Sequence, residues 1–404
     1  MGYLQSALPK YLARIGVDTH VITMDLPPYF QATDFQQSYG EFCDPGELIP
    51  GAVETHEGYT LHVLGRRRRL GHMRMRGLSK KLAAIRPAIV QTMTPIGWIA
   101  LDAAFSKLTL KYRLFTGCHH HASVFPLANR LASPWSAEIL RSRLMRSLPG
   151  RAVSLCTEKC YAIAPDCAEV AVRFMGVARS KIDVCPLGVD TELFHPAVNE
   201  GDKRARHRLR ERLGFSGSDI VCIYSGRFSE DKNPLLLAQA VERLFRQGAA
   251  FRGLFVGQGV QAKGIESCAG CTTHPFVAVH ELGEYFRAAD VGVWPTQESM
   301  SMLDAAACGI PIVANDSMSV PERVKGNGAT YRLQDIEDLI RVLLRFEDAQ
   351  TREQLGAAGA RKMAREFSWE TVAKRRLVDY EFAAASTRTQ PHSETARQVR
   401  NSEV

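Results

Sequence analysis

The 404-residue chain contains no uninterrupted apolar run approaching the ~18 residues that a membrane-spanning helix needs. No charged-then-apolar segment at Met1 reads as a secretory leader. No solenoid-length repeat is present, which argues against a stacked-repeat architecture. Cysteine offers little metal chemistry. Of ten Cys only Cys268 and Cys271 form a CxxC pair, "CAGC", and no second pair follows at zinc-site spacing. Most of the ten sit in apolar runs, as reduced core thiols do in a cytosolic protein. Acids are missing altogether from "GRRRRLGHMRMRGLSKKLAAIRP" (65–87), where Arg66–Arg69, Arg74, Arg76, Lys80, Lys81 and Arg86 gather. Aromatics are missing there too, which argues against nucleic acid, because no rings interleave for base stacking. Met and Leu interleave instead. The readings open for Arg66–Arg86 are peripheral contact with an anionic membrane, an acidic acceptor, or a solvated helix face.

What is present is a chain long enough for two domains, 45% hydrophobic, with a modest net charge of +8 that suits an anionic ligand or surface. Short apolar strands alternate with helical patterns. The first series is His20–Met24, Leu61–Leu64, Ala88–Met93, Tyr112–Thr116, Tyr161–Ala164 and Ile182–Pro186. The second is Ile220–Ser225, Gly253–Gly257, Pro275–Val279, Val291–Pro295 and Pro311–Asn315. Alternation of this kind predicts parallel sheets with crossover helices, here two doubly wound α/β domains. A charged stretch, 195–219, reads as the break between them. The start, "MGYLQSALPKYLARIGVDTHVITMD", opens on a helix leading into a strand, whereas a doubly wound domain ordinarily opens on a strand and a Gly-rich turn. The last residues, "STRTQPHSETARQVRNSEV", have no apolar period and read as a disordered tail.

Four segments carry candidate chemistry. "YSGRFSEDKNPLLL" is strand, turn and helix, with Gly226 at the turn and Pro234 suited to the first helical turn. Arg227 and Lys232 therefore flank a loop at the carboxyl end of a strand, the edge where doubly wound sheets bind ligands. Two such cations can hold a diphosphate, and an ordinary solvated loop is the alternative. "LFVGQGV" places Gly257 and Gly259 in another tight turn. "PTQESMSMLDAAACGIPIV" places Ser299 and Ser301 before a small-residue helix. Its start suits an anion, or Ser301–Asp304 forms only a capping box. "TGCHHHASVF" puts His119, His120 and His121 at the end of a strand. One could reach a sugar hydroxyl, and at least two are ordinary solvated or core histidines. No carboxylate or Cys lies at helpful local spacing for a metal apart from Cys118.

Taken together, "YSGRFSEDKNPLLL", "LFVGQG", "ELGEYFRAADVGVWPTQES" and "LDAAACGIPIVAND" resemble the donor-binding half of glycosyltransferase family 4, of the GT-B fold. "KIDVCPLGVDTELFHP" resembles the segment joining the halves, and "LPKYLARIGVDTHVIT" resembles the first helix and second strand. The resemblance runs from about Gly2 to Tyr380 and implies an acceptor-side domain over 1–190, with its first strand missing before Gly2. It further implies a nucleotide-sugar domain over 191–366, a helix over 367–384 crossing back, and a tail over 385–404. The implied reaction is retaining transfer from a nucleotide-sugar donor to a saccharide or lipid-linked acceptor. It needs no cofactor and no metal, and belongs to envelope polysaccharide or glycolipid synthesis at a cytoplasmic or peripheral inner-membrane site. The donor would lie in the cleft between domains.

By the same resemblance, Arg227 and Lys232 neutralise the diphosphate. Gly226, Gly257, Ser301 and the backbone amides of Met302 and Leu303 belong to the donor site. His119 or His120 touches the donor sugar. The family carries two glutamates with seven residues between them. Asp304 stands at the second place, where a carboxylate holds ribose hydroxyls. The first falls on Thr296, which is no acid, so Glu298 is the substitute expected to hold sugar hydroxyls. Two other readings stay open: a nucleotide-sugar epimerase of the same fold, and a non-catalytic relative in a polysaccharide-assembly complex.

Overall fold

The computed structural model describes residues 3–25, 48–69, 72–122, 125, 127, 137–296, 298–318 and 320–385. The expected tail beyond Ala385 lies outside them. They divide into two units, one of residues 12–25, 49–186 and 373–385, the other of residues 3–11, 48 and 187–372. The chain begins with the expected helix, α1 (Tyr3–Arg14), and strand, β1 (His20–Met24).

The first unit continues through β2 (Val53–His56), β3 (Tyr59–Leu64), β4 (Arg66–Arg69), β5 (His72–Met75), α2 (Leu78–Ile85), β6 (Ile89–Thr92), α3 (Gly97–Leu110) and β7 (Arg113–Cys118). After α4 (Ala137–Ser142), a π-helical turn (Arg143–Ser147) and α5 (Leu148–Cys156) come β8 (Thr157–Ala162), α6 (Pro165–Met175) and β9 (Ile182–Val184). Strands β6-β7-β8-β9 make one parallel sheet, and β1-β3-β2 a second in which β1 and β3 are parallel. Among the described strands, β1 and β6 each pair on one side only. Their Ile22, Met24, Ile89 and Val90 remain half-buried, whereas β7 is almost wholly buried.

The basic segment departs from the helix-face reading. Arg66–Arg69 pairs antiparallel with His72–Met75 as a hairpin, and only Leu78–Ile85 is helical. The alternation His-Met-Arg-Met has the two-residue period of a strand, and it buries Met75. Arg74 turns inward to a bidentate pair with Asp102 of α3, at 2.7 and 2.6 Å.

The second unit holds α7 (Glu200–Arg212), β10 (Ile220–Ser225), α8 (Pro234–Arg246), β11 (Phe251–Val256), α9 (Ala262–Glu266), β12 (Cys271–His274) and α10 (Val279–Ala288). It continues with β13 (Val291–Trp294), α11 (Ser301–Ala307), β14 (Ile312–Asn315), β15 (Gly328–Tyr331), α12 (Ile336–Leu344) and α13 (Ala349–Glu366). The last helix is α14 (Trp369–Ala385). All six strands are parallel in the order β12-β11-β10-β13-β14-β15. This is the doubly wound order that reverses direction between its first and fourth strands. "IVCIYS" is buried along its whole length, as a central parallel strand covered on both faces must be.

Two expectations change here. The third strand is Cys271–His274 and not Pro275–Val279. It pairs with Gly253–Val256 and stops where Pro275 has no N–H for the ladder. The charged break is largely a helix, α7, capped by the Asn199 side chain on the Asp202 N–H. Its Arg206 and Arg210, one turn apart, both reach Asp290 at 2.7 and 2.9 Å, and Asp290 also accepts from the Val221 N–H at 2.8 Å. Arg210 is buried, so removing its carboxylate strands a charge. Asp290→Ala is therefore expected to destabilise this unit by about 3–5 kcal/mol, read as a lowered urea midpoint for its transition, while the first unit's transition stays in place.

Candidate functional site

In the second unit the direction reversal lies between β10 and β13, so the carboxyl ends of those strands define the ligand edge. Ser225 ends β10, and Gly226 follows with φ 149°, a backbone conformation that favours glycine. Gly257, at the end of β11, has φ 154°, and a Cβ there would lie 1.9 Å from the Gly226 carbonyl oxygen. The two turns are thus in backbone contact, closed further by the Gly226 N–H donating to Val256 O at 3.0 Å and the Phe228 N–H to Gln258 O at 2.8 Å.

Between this turn and α8 the chain carries both expected cations. Asn233 takes a left-handed conformation (φ 47°), and Pro234 opens α8. The Tyr224 hydroxyl donates to the Arg227 carbonyl at 2.9 Å, fixing the backbone from which Arg227 projects. Lys232 Nζ donates to the Glu298 carbonyl at 3.4 Å, which brings the β10–α8 loop against the β13–α11 loop. Burial lowers the Lys232 pKa, Asp231 opposes that, and the positive charge of Arg227 adds to the lowering. The sequence reading passed over Ser229. Its Oγ is buried between the two cations along the chain and finds no hydrogen-bond partner among the described residues.

The β13–α11 loop is built differently from the sequence expectation. No capping box forms: Met300 is the cap residue and makes no side-chain cap bond. Ser301 Oγ instead donates to the Ser225 carbonyl at 3.2 Å and accepts from Trp294 Nε1 at 3.1 Å, tying α11 to the end of β10. The amides of Met302 and Leu303 donate to Ser299 O (3.2 Å) and Met300 O (2.9 Å) in a tight first turn, and both side chains enter the core. Asp304 is fully buried. The expectation that Glu298 offers its carboxylate to a sugar is not met in this conformation. Its Oε1 accepts from the Val320 N–H at 3.0 Å, and its Oε2 pairs with buried Arg323 at 2.9 Å. The charge of Arg323, 25 residues along the chain, is what holds it there. Asn315 Nδ2 donates to Thr296 O at 2.6 Å, and the Tyr331 hydroxyl to Pro295 O at 2.6 Å. Both residues went unremarked in the sequence, although an Asn closing a strand is a recognisable loop anchor.

In the first unit, the three histidines after β7 diverge. His121 Nδ1 meets Asp166 at 3.1 Å, and the Ala122 N–H donates to Asp166 at 3.0 Å. Burial pushes the Asp166 pKa up, but those hydrogen bonds outweigh it and hold the group at about 2. This carboxylate, at the start of α6, lies too far along the chain for local spacing to have found. With Cys167 it brings three ligand-type atoms within 4.8 Å. Burial raises the Cys167 thiol pKa, which opposes the thiolate that a metal requires. Cys268 and Cys271 are free thiols pointing at the Gly264 and Ala238 carbonyls. His120 is exposed, its ring edge-on to Phe125. His119 folds back over Gly117, where a Cβ would come within 3.0 Å of its Nε2. Burial, then the charges of Arg376, His120 and His121, pull its pKa down to about 4. Its neutral ring can donate one hydrogen bond and accept another.

Two doubly wound units of this kind make the GT-B architecture. The model for "Glycosyl transferases group 1" matches residues 219–348, and that for "Glycosyltransferase Family 4" matches residues 7–193. The chain belongs to the family 4, group 1 glycosyltransferases. It is 31% identical over 248 residues to the D-inositol 3-phosphate glycosyltransferase of Xylanimonas cellulosilytica, covering 55% of this chain and 56% of that one. It is 27% identical over 225 residues to spore coat protein SA of Bacillus subtilis, covering 50% and 59%. The chain thus spans little more than half the length of these relatives. Among solved structures, Anabaena HepE in complex with UDP and glucose aligns with a TM-score of 0.65 at 15% identity, covering 94% of this chain and 96% of that one. Sucrose-phosphate synthase from Thermosynechococcus elongatus aligns with a TM-score of 0.63 at 17% identity, covering 94% and 92%. At such identities the likeness is one of fold.

The His119 environment makes a pH prediction. Its folded pKa is about 4 against an ordinary 6.5, so between those values the unfolded chain takes up a proton that the folded chain does not. Stability should fall as pH drops through that window. An NMR titration should place the His119 midpoint near 4, and a midpoint near 6.5 would contradict the burial described.

Proposed function

We propose that the chain transfers a sugar from a nucleoside-diphosphate sugar to an acceptor hydroxyl, with retention at the anomeric carbon and without a metal. The observation that carries this reading is the pair Arg227 and Lys232 on one loop at the reversal point of a six-stranded doubly wound sheet. Membership of the family supports it, as does the fold shared with the HepE structure holding UDP and glucose.

In this mechanism the bond from the anomeric carbon to the diphosphate oxygen breaks as the acceptor oxygen bonds to the same face, and the hydroxyl proton passes to the departing diphosphate. The charge that builds on the leaving group is met by Arg227 and Lys232, fixed in advance, and no protein nucleophile takes part. Ser229 Oγ adds a donor for the same phosphates. His119, neutral across the physiological range, is assigned a hydrogen bond to a sugar hydroxyl, with His120 as the alternative. Asp304 is assigned the ribose hydroxyls. That role needs the loop above it to shift, because its side chain is enclosed. The acceptor class is a saccharide or a lipid-linked saccharide of polysaccharide or glycolipid synthesis.

A second reading, nucleotide-sugar binding without turnover, is favoured by the retention of Glu298 by Arg323 and Val320. Incubation with UDP-, GDP- and ADP-sugars and candidate acceptors, following nucleotide release, separates the two. Turnover supports the transferase, and calorimetric binding with no release supports the second reading. Arg227→Ala and Lys232→Ala are each expected to lower turnover about 10²–10³-fold, and activity that survives both substitutions rejects the diphosphate assignment. Because Lys232 has a lowered pKa, diphosphate binding favours its charged form. Affinity should therefore fall as pH rises through that lowered pKa, with proton uptake on binding, measured by calorimetry in buffers of different ionisation enthalpy.

A further inference from the structure

We propose that the helix running from Ala137 to Cys156 is a docking surface for an anionic lipid bilayer. The proposal stands independently of the transferase reading. Soluble domains place Leu outward singly, not in rows. Here Leu140, Leu144, Leu148 and Leu155 are 60, 62, 52 and 83% exposed. With exposed Ala152 they recur at spacings of four, four, four and three, which is one face of a helix.

The π turn keeps that row together. The Leu148 N–H donates to Arg143 O, five residues back, so this turn holds more residues than an α-turn. A row at strict four-residue spacing drifts forward around an α-helix and backward around a π turn. Placing one within the other holds Leu140, Leu144 and Leu148 on one side. Helix α3 packs on α5, with Lys107 Nζ reaching Cys156 O at 2.5 Å, and its Phe105 and Leu108 are exposed as well.

Charge selects the occupant. From Ala137 to Cys156 the helix carries four arginines against one acid, Glu138. Arg141, Arg143 and Arg151 are exposed and have no carboxylate partner among the described residues. Arg146 stacks over Phe125 at 5.3 Å. An apolar row flanked by arginines matches the interface of acyl chains and anionic headgroups. A partner protein's apolar groove would account for the leucines but would leave the excess of arginines without a counterpart. No described helix is long and apolar enough to cross a membrane, so the contact is one of lying on the surface. Within Arg66–Arg86, the segment the sequence offers for this role, the paired strands Arg66–Arg69 and His72–Met75 have exposed arginines but turn Met73 and Met75 toward the core.

The test is sedimentation of the full chain with phosphatidylcholine vesicles with and without phosphatidylglycerol, with no donor or acceptor present. Binding to the mixed vesicles, weakening as salt rises, is expected. The paired change Arg141→Gln with Arg143→Gln should reduce partitioning roughly 30-fold. Leu144→Ser with Leu148→Ser should reduce it at least as much, and Arg67→Gln with Arg68→Gln should leave it within about twofold of the parent. All these side chains are exposed, and unchanged thermal unfolding checks that each variant folds. Absence of binding by the parent overturns the proposal, as does loss in the hairpin variant alone. A parent that ignores vesicles but self-associates until Leu144 and Leu148 are replaced assigns the face to a second copy and also overturns it.

Discussion

The second unit depends on one carboxylate. Asp290, immediately before β13, takes hydrogen bonds from two arginines of α7 and from the Val221 N–H at the start of β10. It thereby joins, at their amino ends, the two strands whose carboxyl ends diverge to make the ligand edge. The register Cys222–Val291 and Ile223–Gly292 follows directly above it. Both cations of the proposed diphosphate site, Arg227 and Lys232, follow β10, and the opposing loop follows β13. A slip between those strands would separate Lys232 from the Glu298 carbonyl.

At the other end of these strands the ordering is done by backbone. Gly226 and Gly257 meet with no room for a Cβ, and Asn315, Tyr331 and Ser301 each spend a side-chain hydrogen bond on a main-chain carbonyl. These contacts fix the loops around the site with atoms that carry no charge. Glu298 adds a charged brace to this frame. Its carboxylate braces two loops through Arg323, so the acid nearest the expected position serves the frame in this conformation.

The fold was largely legible in the sequence because continuous apolar strands such as "IVCIYS" and amphipathic helices such as "PLLLAQAVERLFR" carry their periods openly. The switch-point loop was legible too, since Gly226, Asn233 and Pro234 have backbone preferences that few other residues share. The capping-box alternative fails because its sequence pattern is local, whereas Ser301 is claimed by Ser225 and Trp294 from other elements. Asp166 with His121 and Arg323 with Glu298 were invisible for the same reason. Such pairs form only after the sheet has brought distant segments together. The basic hairpin was misread because a run of arginines hides a two-residue period until its partner strand is known.

The first unit has a different character. Amides alternate in direction along a strand, so about half of those in β1 and β6 face the sides on which the described strands give them no neighbour. Such groups exchange with solvent deuterium through small fluctuations, while those inside β7 await disruption of the sheet itself. The two sheets nevertheless share one core, in which Ile22, Met24 and Leu64 pack with Val90 and Leu114 around the same helices, with spare hydrogen-bonding valence on the margin of each sheet.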